Sequence, residues 1–443
     1  MPPASTGDAH RAIEAVWRIE SARLIAGLAR RVGDVGLAEE LAQDALVAAL
    51  EQWPAQGVPE NPGAWLMATA RNRAIDQIRR DRRLAEKQRE IARGLEPAHD
   101  AAAALDAAID DDVGDDLLRL VFAACHPALS TDARVALVLR LLGGLTTEEI
   151  ARAFLASEAT IAQRIVRAKR TLNEKQVAIE VPRGEELVER LASVLEVIYL
   201  VFNEGYTATA GKDWTRPDLC EEALRLGRIL QGLLPAEPEV HGLAGLMELQ
   251  ASRLWARVGR SGEPVLLLDQ NRALWDRLLI QRGLAALERA REAGRALVMA
   301  RAAAGYAPPQ EDAYFAGPYT LQAEIAACHA RARTPEETDW RRIVALYGAL
   351  ATIMPSPVVE LNRAVAVSMA RGPQAALEMV DALAGDPALA DYHLLPSVRG
   401  DLLEKLGRCE EAVAEYERAA SLARNERERD LLLDRARRCS PAR

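Results

Sequence analysis

The stretch LTTEEIARAFLASEATIAQRIVRAKRTL, residues 145–172, decides the fold class of the chain. Thr146 and Glu149 have the spacing of an S/T-x-x-E capping box, which predicts the start of a helix. Ala156 and Ser157 break that helix, and Ser157 is placed to cap a second one. Two short helices joined by a tight connection are typical of a helix-turn-helix.

The second helix of this motif has two chemically different faces. Its apolar stripe consists of Ile161, Ile165, Ala168 and Leu172. The opposite side, with Arg164 at its edge, carries Thr160, Gln163, Arg167 and Arg170. Arg and Gln read base edges in the major groove, and the remaining groups hold phosphates. The pattern predicts a DNA-binding helix; a helical hairpin whose arginines are merely solvated stays open as the alternative.

A second basic segment lies at residues 62–83, with the sequence PGAWLMATARNRAIDQIRRDRR. Its last thirteen residues include six Arg and two Asp. A helical wheel places on one polar face Trp65, Thr69, Asn72, Asp76, Arg80 and Arg83. An exposed indole can stack on a base while neighbouring arginines hold the backbone. Alternatively, Trp65 packs on the preceding loop at 54–63, and the two arrangements are compatible.

Acidic residues are concentrated elsewhere. Residues 32–53 predict an amphipathic helix that ends before Pro54 and exposes Glu40, Gln43, Asp44 and Glu51. An acidic helix is better suited to a protein contact than to a DNA contact. Residues 94–118 hold eight acids and no base, which indicates an acidic linker. It either mimics nucleic acid in a basic channel or acts as a solvated tether.

Composition restricts the remaining choices. The 443-residue chain carries a net charge of −9, which argues against indiscriminate coating of nucleic acid. Helical spacing recurs throughout, and no run of alternating apolar residues appears, so the expected class is all-α. No apolar run approaches the ~20 residues that span a bilayer. The start of the chain lacks the features of a secretory signal, so a cytoplasmic protein without membrane contact is expected.

Neither a metal nor a cofactor nor catalysis is expected. The five cysteines are scattered, which fits a reducing compartment. Two Cys-His neighbours occur, at Cys125-His126 and Cys328-His329, but adjacent helical residues diverge and rarely bind one ion together. The chain contains no phosphate loop, nucleophile elbow or metal-spaced ligand set, so we predict that it is not an enzyme.

The predicted helices fall into blocks at residues 8–92, 117–178 and 183–443, with the acidic linker at 93–116. Within the last block, residues 399–423 have small or aromatic residues at Gly400, Gly407, Ala412, Tyr416 and Ala419. These offsets match a tetratricopeptide helix pair, in which small residues let two helices approach closely. The alternative is an ordinary helical bundle.

Four features in this order resemble the extracytoplasmic-function group of sigma factors. They are AEELAQDALVAALEQW, WLMATARNRAIDQIRR, the acidic linker and the helix-turn-helix. The resemblance covers residues 8–178. It implies that 8–92 is sigma region 2, that 117–178 is sigma region 4, and that the protein directs core RNA polymerase to promoters. The implied polymerase-binding residues, on the helix that meets the β′ subunit, are Glu40, Gln43 and Asp44.

The same resemblance assigns the DNA contacts. It implies that the −10 element is met by Trp65, Thr69, Asn72 and Arg73, with Arg80 and Arg83 along the same helix. It implies that the −35 element is met by Thr160, Gln163, Arg164, Arg167 and Arg170. Of the two interpretations of the acidic linker, the one in which it occupies the path later taken by RNA fits the same family. The expected partners are the β′ and β subunits of core polymerase and promoter DNA.

Residues 183–443 resemble the extension of a sigma subgroup with tetratricopeptide-like tails, through segments such as YLVFNEGYTAT at 199–209 and DQNRALWD at 269–276. The resemblance implies that this extension controls activity in cis, by an intramolecular contact with the sigma domains. A short turn is predicted at 203–205. Two other functions stay open: a helix-turn-helix regulator that does not depend on core polymerase, and a tetratricopeptide-type protein-binding scaffold.

Overall fold

The computed structural model describes residues 6–92, 113–154, 156–208, 214–259, 262–305 and 315–439. Across these ranges the chain is helical, with short 3-10 turns and a single isolated bridge between Val258 and Pro264 as the only β-type pairing. The predicted all-α class is therefore confirmed. No helix in the described ranges is both long enough and apolar enough to cross a membrane.

The chain divides into two compact units, Met1–Val197 and Ile198–Arg443. The described helices of the first unit are α1 Thr6–Val32, α2 Val35–Gln56, α3 Pro62–Ala92, α4 Val113–Ala124, α5 Thr131–Leu141, α6 Thr147–Ala153 and α7 Glu158–Glu174. A further helix, α8 Glu185–Tyr206, has its first half in this unit. The acidic linker predicted at 93–116 lies mostly outside the described residues.

Helix α2 shows how local chemistry sets the boundaries in the first unit. The Asp34 carboxylate accepts hydrogen bonds from the backbone N–H groups of Gly36 and Leu37, which fixes the start of the helix. The prediction that α2 ends before Pro54 is wrong, because the helix continues to Gln56 with Pro54 in its last turn. Gly57 then ends it at a φ of 86°, a backbone conformation that glycine adopts without a steric penalty.

Side chains from the first half of α8 close the C-terminal end of α4 by donating hydrogen bonds to backbone carbonyls there. Arg190 donates a hydrogen bond to the carbonyl of Phe122 at 3.1 Å, and Ser193 donates one to the carbonyl of Cys125 at 2.8 Å. The last carbonyls of a helix have no partner within the helix, so these side chains satisfy groups that would otherwise be buried without a hydrogen bond. Residues 185–197 therefore complete the core of the first unit.

The second unit consists of consecutive helices, and its described helices after α8 are α9 Pro217–Leu233, α10 Pro238–Ala251, α11 Arg277–Ala303, α12 Pro318–Arg331, α13 Trp340–Ile353, α14 Pro357–Arg371, α15 Pro373–Leu383, α16 Leu394–Lys405, α17 Cys409–Leu422 and α18 Glu426–Cys439. One apolar core runs through α14 to α18. Between α10 and α11 the chain forms three 3-10 turns, over residues 254–274.

The helix pair predicted around Gly400 and Tyr416 is confirmed as α16 and α17. A Cβ atom on Gly400 would lie 2.9 Å from the ring of Tyr416, so only glycine permits this approach. Tyr416, Ala412 and Ala419 have no exposed surface, and Gly407 turns between the helices at a φ of 74°. Small residues at these offsets thus fix the distance between the two helices.

The turn predicted at 203–205 is wrong, because these residues lie within α8. Gly205 is required for a different reason. A Cβ at Gly205 would lie 2.6 Å from the backbone nitrogen of Cys220, so the glycine permits close packing of α8 against the start of α9. Gly205 is therefore a packing position within the helix and does not interrupt it.

Candidate nucleic-acid interface

The helix-turn-helix forms as its sequence predicts. The Thr146 side chain accepts from the backbone N–H of Glu149, and the Glu149 carboxylate accepts from the backbone N–H of Thr146, so the capping box is complete. Helix α6 ends at Ala153, and Ser157 caps α7 by accepting from the backbone N–H of Thr160. Because both caps are local, they fix the start of α6 and of α7 independently of the rest of the fold.

Helix α7 presents one polar face to solvent. Its buried residues are the predicted stripe, Ile161, Ile165, Ala168 and Leu172. Thr160, Gln163 and Arg167 are exposed. Arg170 is also exposed and forms an ion pair with Glu174 one turn along the helix, at 3.0 Å. Arg164 is half-buried and forms an ion pair with Asp132 of α5 at 3.1 Å, so it is held at the edge of this face.

The predicted −10 residues lie along α3. Trp65 is half-buried, and its ring meets the buried ring of Trp53 edge-on, with 5.4 Å between centroids. This contact is with a residue of α2 and not with the loop at 54–63, and part of the Trp65 ring remains accessible. Asn72 is exposed and Thr69 is half-buried. The side chains of Arg80 and Arg83 lie outside the described residues.

The predicted polymerase-binding residues lie on the accessible side of α2. Glu40 and Asp44 are exposed, and Gln43 is half-buried. Asp44 forms an ion pair with Arg73 of α3 at 3.2 Å, which brings one polymerase candidate together with one −10 candidate. Gln43 donates a hydrogen bond to Glu39 at 2.8 Å.

Glu39 itself is a residue that the sequence prediction missed. Only 3% of it is exposed, and its carboxylate is shared by cations from two other helices. Arg140 of α5 donates a hydrogen bond to it at 2.8 Å, and Lys169 of α7 forms an ion pair with it. Nearby, Asn173 of α7 donates to Asp34. These contacts join α2 to the helix-turn-helix. The signal in the sequence was a carboxylate within the apolar stripe of α2.

The Cys-His neighbours form no ligand set. Burial raises the pKa of the Cys125 thiol to about 12, so this group stays protonated and packs as a small apolar residue. Burial likewise lowers the pKa of His126 and raises that of the Cys328 thiol. The described part of the chain contains no group of three or more His, Cys, Asp or Glu side chains arranged around a common point.

Comparison with known proteins agrees with this geometry. Residues 19–84 match the sigma-70 region 2 family, and residues 119–172 match the sigma-70 region 4 family. Residues 190–291 match a family of unknown function, DUF6596. The region 2 match extends from within α1 through α2 and most of α3, and the region 4 match extends from within α4 through most of α7. The capped helix pair and the basic α3 are therefore those of a promoter-recognition protein.

Three relatives extend the comparison. An uncharacterized protein of Rhizobium meliloti strain 1021 is 44% identical over 90% of this chain and 89% of its own length. The ECF RNA polymerase sigma factor SigK of Mycobacterium ulcerans is 32% identical over 33% of this chain and 75% of its own length. The probable ECF RNA polymerase sigma factor SigI of Mycobacterium tuberculosis is 29% identical over 40% of this chain and 60% of its own length.

The chain belongs to the extracytoplasmic-function family of RNA polymerase sigma factors. It directs RNA polymerase to promoters. Sigma factors generally act by binding rather than by catalysis. A long helical extension follows the two sigma regions, as expected for the subgroup that the sequence resembles.

Proposed function

We propose that this sigma factor contacts the −35 element through the polar face of α7. The observation that supports it best is the separation of the helix into a buried apolar stripe and an exposed face with Thr160, Gln163 and Arg167. Arg167 makes no ion pair with any described residue and is free to form a bidentate contact with guanine. Arg164 and Arg170 are held by carboxylates, and they are better placed for phosphates.

The −10 contact is proposed for α3. Trp65, Thr69 and Asn72 share one side of this helix, and Arg73, Arg80 and Arg83 follow them in sequence. The edge-on contact with Trp53 leaves the accessible part of the Trp65 ring able to pack against an unpaired base. The arginines then supply phosphate contacts, which carry much of the affinity without reading the sequence.

The contact with core polymerase is proposed for the exposed edge of α2, with Glu40 as its main charge. Glu40 has no ion-pair partner among the described residues, whereas Asp44 is already paired with Arg73. The β′ subunit is the proposed partner of this edge, and the β subunit is proposed as a second partner within core polymerase. An unpaired carboxylate at a protein interface contributes to orientation and association rate. Working with polymerase, the protein would act in the cytoplasm.

The extension at 183–443 is proposed to control this activity in cis, through an intramolecular contact with the sigma regions. Stacked helix pairs such as α16 and α17 usually form protein-binding surfaces, which supports such a role. The proposed domains are 8–92 for region 2, 93–116 for the linker, 117–178 for region 4 and 183–443 for the extension. A matched truncation series should retain 185–197, because these residues close the end of α4.

Two variants of the full chain test the main proposal. Arg167→Ala should retain core polymerase in a pull-down but reduce run-off transcription from a cognate promoter by roughly 5- to 150-fold, the loss expected for one base contact. Glu40→Lys should lose polymerase binding instead. Arg183→Ala, at an exposed position beyond α7, is the matched control and should change neither. Promoter binding by the chain without polymerase would instead favour a classical regulator, and polymerase-independent protein capture would favour a scaffold.

A further inference from the structure

A cavity of about 680 Å³ opens in the second unit, between the 3-10 turn at 272–274, the start of α11 and the end of α12. Its polar lining consists of Arg272, Trp275, Arg277, Gln281, Arg331 and Arg333, and none of its lining residues is acidic. We call it the arginine cavity. Its volume is in the range of cavities that hold small molecules. Neither the sigma regions nor the proposed promoter contacts use it.

Three of these arginines have no carboxylate partner. The side chains of Arg277, Arg331 and Arg333 form no ion pair with any residue that the structure describes. A second cavity of about 690 Å³ shares Arg331, but two of its other arginines have a carboxylate partner. There, Arg291 and Arg342 both bind the fully buried carboxylate of Glu324. The arginine cavity therefore contains three guanidinium groups that form no ion pair with the described residues.

Arg272 and Trp275 form the floor of the arginine cavity. Arg272 donates hydrogen bonds at 2.7 Å to the carbonyls of His329 and Ala332, and its guanidinium stacks on the Trp275 ring with 4.7 Å to the centroid. The Nε of Arg272 and the Nε1 of Trp275 are buried and have no hydrogen-bond partner in the described structure. Trp275 is 5% exposed. Both unmatched groups are donors, so they add no acceptor to the surroundings of the cavity.

One further cation lies next to Trp275. Arg253 lies over the Trp275 ring, with 5.8 Å to the centroid. Burial, with the charges of Arg253 and Arg272, lowers the pKa of His329 to about 4, so that this neighbour is neutral at physiological pH. Burial and the charge of Arg253 lower the pKa of Arg272; the carboxylates of Glu336 and Glu337 oppose this shift but do not line the cavity. The local field therefore favours an anion.

We propose that the arginine cavity binds a small polyanion through its phosphate or carboxylate groups. Arg277, Arg331 and Arg333 line one partly open cavity, and a guanidinium group can pair its N–H donors with the two oxygens of a phosphate or carboxylate. Duplex nucleic acid binds to an open stripe of basic residues rather than to a cavity of this size. The extension thus holds a ligand site that goes beyond the promoter and polymerase contacts proposed above.

Isothermal titration of the full-length chain with sodium pyrophosphate tests this site, with citrate as the carboxylate arm at the same ionic strength. Arg331→Gln combined with Arg333→Gln changes two exposed side chains that the fold does not use as partners. Arg301→Gln is the matched control, because this exposed arginine lies near the other end of α11, about 36 Å along the helix from Arg277.

Saturable binding of either anion, weakened at least about tenfold in the double variant and unchanged in the control, supports the proposal. Preference for pyrophosphate assigns a phosphate ligand, and preference for citrate assigns a carboxylate ligand. The proposal is overturned if neither anion shows saturable binding, or if the wild type and the double variant bind equally well. A fluorescent duplex that binds through Arg331 and Arg333, with neither anion doing so, also overturns it.

Discussion

The carboxylate of Glu39 accepts a hydrogen bond from Arg140 at 2.8 Å, although 101 residues separate the two in sequence. Glu39 belongs to α2 of region 2, whereas Arg140 and the second cation, Lys169, belong to region 4. An unpaired buried carboxylate would carry a large desolvation penalty. The two sigma regions of this unit are therefore joined by a buried carboxylate of region 2 whose two cationic partners come from region 4.

Glu39→Gln should weaken this contact between the two sigma regions, called the junction below. The substitution keeps the shape of the side chain but leaves Arg140 and Lys169 without their shared counter-charge, at a cost of about 3 kcal/mol. Hydrogen exchange of full-length protein should become faster in peptides from residues 131–174. Glu40→Gln, one residue along α2 and exposed, is the control and should leave this exchange unchanged. Unaltered exchange in both variants would show that the ion pairs contribute nothing to the junction.

Gly400→Ala should destabilise the second unit. The added methyl group would meet the buried ring of Tyr416, and the resulting overpacking should cost roughly 1–3 kcal/mol. Gly348→Ala is the matched control, because no atom outside its own helix would lie within 4 Å of the added Cβ. It should stabilise the protein by about 0.5–1 kcal/mol through helix propensity. Urea unfolding measures both changes, and shifts of the same sign would contradict the close-approach explanation.

His329 should make the second unit sensitive to acid. Its folded pKa of about 4 lies below the ordinary value of 6.5, because burial and two arginines disfavour the charged ring. The unfolded chain therefore binds the proton more readily, and stability falls as the pH drops from 6.5 towards 4, by about 3 kcal/mol in all. Urea unfolding at pH 7 and pH 4.5 should show this loss. His329→Phe should reduce it, whereas His10→Phe should not.

Arg190→Met should weaken the closure of α4. The variant retains apolar bulk beside Phe122 but removes the hydrogen bond to its carbonyl, a loss of about 2 kcal/mol for a buried charged donor. Hydrogen exchange in peptides that cover 117–124 should become faster. Arg183→Met, at an exposed site just before α8, should leave it unchanged. Equal exchange in all three proteins would mean that Arg190 does not hold this end of the helix.

Sequence reasoning succeeded where the interactions are local. The caps at Thr146 and Ser157 and the apolar stripe of α7 depend on residues within two turns of each other, and the structure contains all of them. Boundaries were less secure. Pro54 predicts the end of a helix, yet the last turn of α2 contains it. Gly205 is typical of a turn, whereas in the structure it permits close packing against Cys220.

The contacts that could not be predicted are those between distant segments. A helical wheel places Glu39 within the apolar stripe of α2, which indicates that it needs a partner, but the wheel does not identify Arg140 or Lys169. The arginine cavity was missed for the same reason. Arg272 and Arg331 are far apart in sequence, and only the fold brings them to one cavity. Composition counts charges but does not reveal which ones remain unbalanced.

The edge-on pair formed by Trp53 and Trp65 gives the molecule a built-in optical label. Two indoles with 5.4 Å between centroids couple their electronic transitions, so their circular dichroism depends on their mutual angle. Any rotation of the Trp65 ring towards a base would alter that signal without an attached dye. Trp65→Phe provides the blank, and a promoter opening event could then be followed in real time by the protein's own chromophores.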